Sequence, residues 1–131
     1  MIRIEWDDKY SVGHERIDHE HQVFLDLIIN ASRADEEQLP REKVLRLLNE
    51  IKKYAEFHFY SEENIMLDNG YPGYESHRQE HIMLLCNLDN KFHNYRFGLT
   101  SLTELVEFMF EWFALHTTYS DKKLAAYIDH P

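Results

Sequence analysis

Apolar residues recur at spacings of three and four along four stretches of the chain, the repeat that lines one face of an α-helix. The first helix is expected over about residues 17–35, with Ile17, His21, Phe24, Ile28 and Ala31 on its stripe. The second covers about 41–69, with Val44, Leu47, Ile51, Tyr54, His58, Glu62 and Ile65. The third covers about 74–95, with Tyr74, His77, His81, Leu84 or Leu85, Leu88 and Phe92. The fourth covers about 101–128, with Leu102, Leu105, Met109, Trp112 and His116. Residues 1–16 lack the repeat and read as an N-terminal arm anchored through Trp6. Turn formers separate the stripes: Leu39-Pro40, Asn69-Gly70-Tyr71-Pro72-Gly73 and Phe97-Gly98. Pro40 suits the first turn of the second helix and Gly70 its end. Thr100 or Ser101 is placed to cap the fourth, with Glu104 as reciprocal partner. Short connections make neighbouring helices antiparallel, so the expected fold is all-α: an up-down-up-down four-helix bundle with an N-terminal arm, one domain over residues 1–131.

The polar members of these stripes are the anomaly. An inner face should exclude ionisable groups, because burying them unpaired is costly. Yet His21, His58, Glu62, His77, His81 and His116 all lie on inner stripes. In an antiparallel pair, residues equidistant from the turn share a depth. His21 and His58 average to position 39.5, at Leu39-Pro40; His58 with His81, and Glu62 with His77, average to 69.5, at Asn69-Gly70. His81 and His116 average to 98.5, beside Gly98. One histidine from each helix therefore falls on a common level, with Glu62 and His77 about one helical turn, or ~5–6 Å, away.

His77 and Asp121 average to 99, which assigns Asp121 to that second layer. Asp121 follows His116 by five residues, and five steps of an ideal helix turn a side chain ~140° away. Either Asp121 reaches round or the helix widens there by one residue.

Composition narrows the setting. A net charge of −10 argues against nucleic acid and anionic membrane surfaces. No apolar run approaches the length of a membrane span, and Met1-Ile2-Arg3-Ile4-Glu5 does not resemble a signal peptide, so a cytoplasmic setting is expected. The lone cysteine, Cys86, is expected as a small core residue. His14, His19, His93 and His130 lie off the stripes or in the termini and are expected in solvent. The acidic runs Asp35-Glu36-Glu37 and Glu62-Glu63 read as solvated, apart from Glu62, and no further acid–base residue is evident near the cluster.

Five imidazoles and two carboxylates without a thiolate form a donor set of intermediate hardness that suits iron. Two octahedral ions held by this set with one oxo or hydroxo bridge keep one position open for a small molecule. The Glu-x-x-His pairs of ferritin-like bundles, zincin helices, Cys-x-x-Cys pairs and nucleotide loops are absent from the sequence. Phe24, Phe59, Trp112 and Phe113 lie within one turn of these residues and are expected to wall the site against water.

His21 within Asp18-His19-Glu20-His21-Gln22, His58-x-x-x-Glu62, His77-x-x-x-His81 and His116-x-x-x-x-Asp121 together resemble the ligand pattern of the hemerythrins, and among them the prokaryotic single-domain bacteriohemerythrins. The resemblance implies two non-heme iron ions and reversible O2 binding, for storage, transport or delivery to an oxygen-consuming enzyme. It assigns His77, His81 and His116 to one iron, His21 and His58 to the iron with the open position, and Glu62 and Asp121 as bridges. Thr117 departs from the pattern, standing where the family often has a branched apolar residue, so its hydroxyl belongs in the O2 pocket unless it bonds its own helix. A monomeric binding protein without turnover is expected, since no further acid–base residue is evident near the site. The alternatives are a di-iron enzyme acting on nitric oxide or peroxide, and an oxygen or redox sensor working through a separate partner.

Overall fold

A computed structural model describes residues 4–130; Met1, Ile2 and Arg3 of the arm, and Pro131, lie outside the described residues. The helices are α1 (Glu15–Ser32), α2 (Arg41–Asp68), α3 (Tyr74–Arg96), α4 (Leu102–His116) and α5 (Lys122–Asp129). A five-residue π turn, Thr117–Asp121, joins α4 to α5, so the two form one interrupted fourth rod. No strand occurs among the described residues, and no helix there is long and apolar enough to cross a membrane. The result is an antiparallel four-helix bundle.

Local chemistry fixes the ends of the rods. Gly70 and Gly98 follow α2 and α3 with φ of 59° and 76°, a conformation that costs glycine nothing. Each is flanked by two closing bonds, Tyr71 N–H to the Met66 carbonyl and Gly70 N–H to Leu67, then Leu99 N–H to Asn94 and Gly98 N–H to Tyr95. Gln38 takes the same role after α1, with a φ of 52°, and α1 ends at Ser32, three residues short of the expected boundary. Pro40 stands just outside α2 rather than in its first turn. Ser101 caps α4 by accepting from Glu104 N–H at 3.1 Å, and the Glu104 carboxylate takes the Thr100 hydroxyl at 2.6 Å. His14 caps α1 through Nδ1 and is half-buried, whereas His19, His93 and His130 are exposed as expected.

Two apolar clusters fill the bundle. The larger includes Phe24, Ile28, Leu48, Ile51, Phe59, Leu105, Met109 and Phe113; the smaller contains Ile17, Ile65, Met66 and Leu124. Along every rod, the expected histidines and carboxylates fall between these two clusters. The arm is held chiefly by Tyr10, which is buried and meets Phe113 edge-on at 5.2 Å; Trp6 is half-buried against Tyr10.

Expectations of burial are corrected at several positions, and the stripe residues Tyr74, Phe92 and Trp112 are half-buried. On α2 the buried stripe passes through Leu48 and Ala55, leaving Leu47 and Tyr54 half-buried. Ala55 is buried, and Tyr54 lies at the margin against Phe24. Cys86 is exposed rather than a core residue: five steps beyond His81 on a regular helix carry it ~140° from the inner face.

Candidate metal centre

Each rod delivers its polar residues to one place. His21 comes from α1, His58 and Glu62 from successive turns of α2, His77 and His81 from successive turns of α3, His116 from the end of α4, and Asp121 from the π turn. The π turn resolves the five-residue spacing. In a backbone closed by i to i+5 bonds, residues five apart return to nearly the same face. All seven side chains are at most 5% exposed, and Glu62 and Asp121 are at 0%.

The two carboxylates divide their oxygens. Glu62 Oε1 lies 2.5 Å from His77 Nε2, 3.2 Å from His81 Nε2 and 3.7 Å from His116 Nε2, while its Oε2 lies 3.1 Å from His58 Nε2. Asp121 Oδ1 lies 3.1 Å from His77 Nε2 and 3.0 Å from His116 Nε2, while its Oδ2 lies 2.8 Å from His21 Nε2. The donor atoms thus fall into two groups, Glu62, His77, His81, His116 and Asp121, and His21, His58, Glu62 and Asp121, each with its atoms within 4.8 Å of one another. Both carboxylates belong to both groups.

The outer edges of three rings are committed elsewhere. His58 Nδ1–H donates to Glu20 at 2.8 Å, His81 Nδ1–H to Glu63 at 2.9 Å, and His116 Nδ1–H to Glu80 at 2.5 Å. Glu20 also accepts from Ser61 Oγ at 2.9 Å and from Arg16 Nε at 3.2 Å. A carboxylate behind each ring fixes the tautomer and leaves the Nε2 lone pair facing inward. These three glutamates are the functional residues that sequence reasoning missed, and Glu63 is not the solvated residue expected. The depth arithmetic contained the signal for two of them, since Glu20 with His58 averages to 39 and Glu80 with His116 to 98, both at turns.

The interior is a concentration of acceptors. His81 Nε2 and His116 Nε2 face each other at 3.3 Å. Both oxygens of Glu62 and of Asp121, with Nε2 of His21, His58 and His77, are buried and aligned with no hydrogen-bond donor. Their short separations are close approaches out of line for hydrogen bonding. Burial alone would raise Glu62, but the four imidazoles around it hold its carboxyl well below the usual range. Asp121 is likewise lowered: burial and the Glu62 charge oppose ionisation, and His116 and His21 outweigh them. Two anions and converging lone pairs in an apolar core call for positive charge, and cations satisfy all of them at once. The donor set fits a pair of metal ions.

The sequence model of the Hemerythrin HHE cation binding domain matches residues 12–128. The chain belongs to the hemerythrin family. A Clostridium acetobutylicum protein named bacteriohemerythrin is 26% identical, with 95% of this chain and 98% of that protein aligned. Hemerythrin subunit 1 of Golfingia vulgaris is 27% identical over 65% of this chain and 68% of its own length. The crystal structure of a wild-type hemerythrin superposes with a TM-score of 0.84 at 20% identity, covering 95% of this chain and 97% of that one. That last likeness establishes the hemerythrin fold.

The expected aromatic residues surround the hemerythrin cluster. Phe59 stacks on His81 with centroids 4.1 Å apart, Trp112 stacks on His116 at 5.2 Å, and Phe113 meets His21 edge-on at 5.8 Å. Phe24 forms the next layer, stacked on Phe113 at 6.0 Å and packed against Trp112. A cavity of about 10 Å³ behind Phe59 and Trp112 is at the lower limit for one water and is lined almost wholly by carbon. Thr117 is buried at 1% exposure beside His116, and the helix-bonded hydroxyl in this turn is that of Thr118, on the Ala114 carbonyl at 2.7 Å.

Proposed function

We propose that this hemerythrin-family chain binds O2 reversibly at two non-heme iron ions and stores or carries it for an oxygen-consuming recipient, without turnover. The carrying observation is the division of oxygens at Glu62 and Asp121, each turning one oxygen toward each histidine group inside an apolar surround. In this reading His77, His81 and His116 would hold one ion, His21 and His58 would hold the other, and Glu62 and Asp121 would serve both. Two ferrous ions bound there would supply the two electrons that reversible O2 capture requires. The smaller donor group, with only His21 and His58 as its imidazoles, would leave room for the gas on its side.

The chain's own residues do the rest. Phe59, Trp112 and Phe113 pack directly on ligand rings and exclude water and stray protons, the agents that would make capture irreversible. Phe24 closes the second layer. Thr117, buried next to His116 in sequence, would make a hydroxyl available to the pocket in this reading. Neutral imidazoles stabilise ferric iron less than further carboxylates would, which keeps return to the diferrous state accessible.

Glu20, Glu63 and Glu80 bring carboxylates near the cluster and so give an enzymatic reading more substance than the sequence did. All three, however, bond the outer Nδ1 edges of the rings, on the far side from the bridging oxygens. That placement favours binding over proton delivery. Purified protein should contain two irons per chain and show a visible band that vanishes on deoxygenation and returns in air. A colourless protein, or one iron per chain after anaerobic reconstitution, overturns the proposal. Steady-state consumption of nitric oxide or peroxide above a His58→Ala control would establish the enzyme instead.

A further inference from the structure

The π turn has a partner outside the metal cluster. Glu80 precedes His81 on α3, and its carboxylate reaches across the seam to the fourth rod. One oxygen accepts from His116 Nδ1 at 2.5 Å, and both accept from Ser120 Oγ at 2.9 Å. His116 enters the widened turn and Ser120 immediately precedes Asp121, so these contacts bracket the turn from its two ends. The other two outer carboxylates do not touch it: Glu20 bonds His58 and Ser61 within the regular helix α2, and Glu63 bonds His81 on α3. The side chain of Glu80 is also the most open of the three, 40% exposed against 20% for Glu63 and 7% for Glu20. It lies in a surface cleft with Leu84, Trp112, Leu115 and Tyr119, where substitution leaves the core intact.

We propose that Glu80 is a positioning residue for metal binding: it orients the His116 ring and, through Ser120, holds the widened turn that brings Asp121 into the cluster. The inference rests on the two-metal reading above. A carboxylate behind a ligating imidazole sets the ring's tautomer and direction and strengthens its donor atom, and loss of such a partner typically lowers metal affinity by about 10–100-fold. Here one carboxylate supports two donors, one directly and one through the backbone.

The test is a Co2+ titration of the full chain after chelator treatment, followed by calorimetry and by the visible ligand-field bands. Wild type should take up two Co2+ per chain. Glu80→Ala should weaken at least one ion by about 10-fold or more and shift the bands, with helicity by circular dichroism unchanged. Glu80→Gln still accepts the imidazole N–H but lacks the charge, and should fall between the two; it also decides the matter if Glu80→Ala does not fold. Ser120→Ala should shift the bands as well, because it frees the turn while leaving His116 bonded to Glu80. Affinities within twofold of wild type and unchanged bands in the Glu80 variants overturn the proposal while the two-metal reading stands. A wild-type chain that takes up no Co2+ overturns both.

Discussion

His81 and His116 aim their Nε2 atoms at each other across 3.3 Å, while their Nδ1 atoms are held by Glu63 and Glu80. At most one of the facing nitrogens can donate a proton to the other, and Glu62 Oε1 lies 3.2 Å from the first and 3.7 Å from the second. Such an arrangement is stable only around positive charge, so bound metal should stabilise the fold by mass action. Chelation is predicted to lower the melting temperature, and added Fe2+ or Co2+ to restore it in a concentration-dependent manner. Differential scanning calorimetry checks this; identical melting curves with and without chelator contradict it.

The pH dependence of chelator-treated protein has a definite sign. Burial alone would lower His58, but its bond to Glu20 and the nearness of Glu62 raise it from 6.5 to about 9. His77 is likewise opposed by burial and raised to about 9 by Asp121 and Glu62. A folded pKa above the unfolded one gives a stabilising contribution that is complete below pH 6.5 and lost as pH rises through about 9. Glu62 and Asp121 are depressed from 4.5 and 3.8, so their contribution is present above those values and is lost on acidification below them. Stability without metal should therefore be highest between about pH 4.5 and 6.5 and decline toward pH 9. Metal affinity should instead rise over that alkaline range, because binding displaces the imidazole protons. Thermal melts from pH 4 to 10 test both signs, and a melting temperature that climbs between pH 6.5 and 9 in chelated protein refutes the first.

Much of this centre is legible in the sequence. Four rods and their turns follow from the apolar period and from Gly70 and Gly98. The matched depths of His21, His58, His81 and His116 follow from symmetry about those turns. What periodicity cannot show is which of two adjacent apolar residues faces inward: Leu47 and Leu48 satisfy it equally, and in the packed bundle Leu48 and Ala55 are the buried ones. Nor does a charge pattern distinguish a solvated glutamate from one bonded to the outer edge of a buried ring. Glu20, Glu63 and Glu80 each adjoin a cluster residue in sequence, and only the direction of their side chains reveals the role. Matched depth points to Asp121, but the means of turning it inward, a widened turn and not a long reach, lies in the backbone.

That widened turn makes a separable prediction. It compensates for a spacing of five between His116 and Asp121, which an α-helix would leave ~140° apart. Removing Tyr119, the exposed residue of the turn at 61%, restores a spacing of four, for which a regular helix already places both side chains on one face. The shortened chain is predicted to retain two metal ions. Inserting one alanine after Tyr119 instead should lose Asp121 from the cluster and reduce the stoichiometry. Metal analysis by mass spectrometry of both variants decides it, and loss of metal from the shortened chain would show that the π geometry itself is required.

The aromatic wall can be tested apart from the stability it contributes. Phe113 is 2% exposed and touches the arm at Tyr10, the second layer at Phe24 and the cluster at His21. Phe113→Ala should cost about 3–5 kcal/mol through lost burial and an unfilled cavity. Ile28→Ala, at 0% exposure in the larger apolar cluster but farther along α1 from the site, should cost a comparable ~2–5 kcal/mol. The two variants thus share a destabilisation but differ in what the new space adjoins. Space beside His21 admits water and protons to the oxygenated centre, whereas space beside Ile28 does not. Oxygenated Phe113→Ala protein should lose its visible band about tenfold faster than wild type or more, a change that ~1.4 kcal/mol of barrier produces. Ile28→Ala should decay at close to the wild-type rate at temperatures well below its melting transition. Equal acceleration in both would assign the effect to general loosening of the bundle and remove the wall from the account of reversible binding.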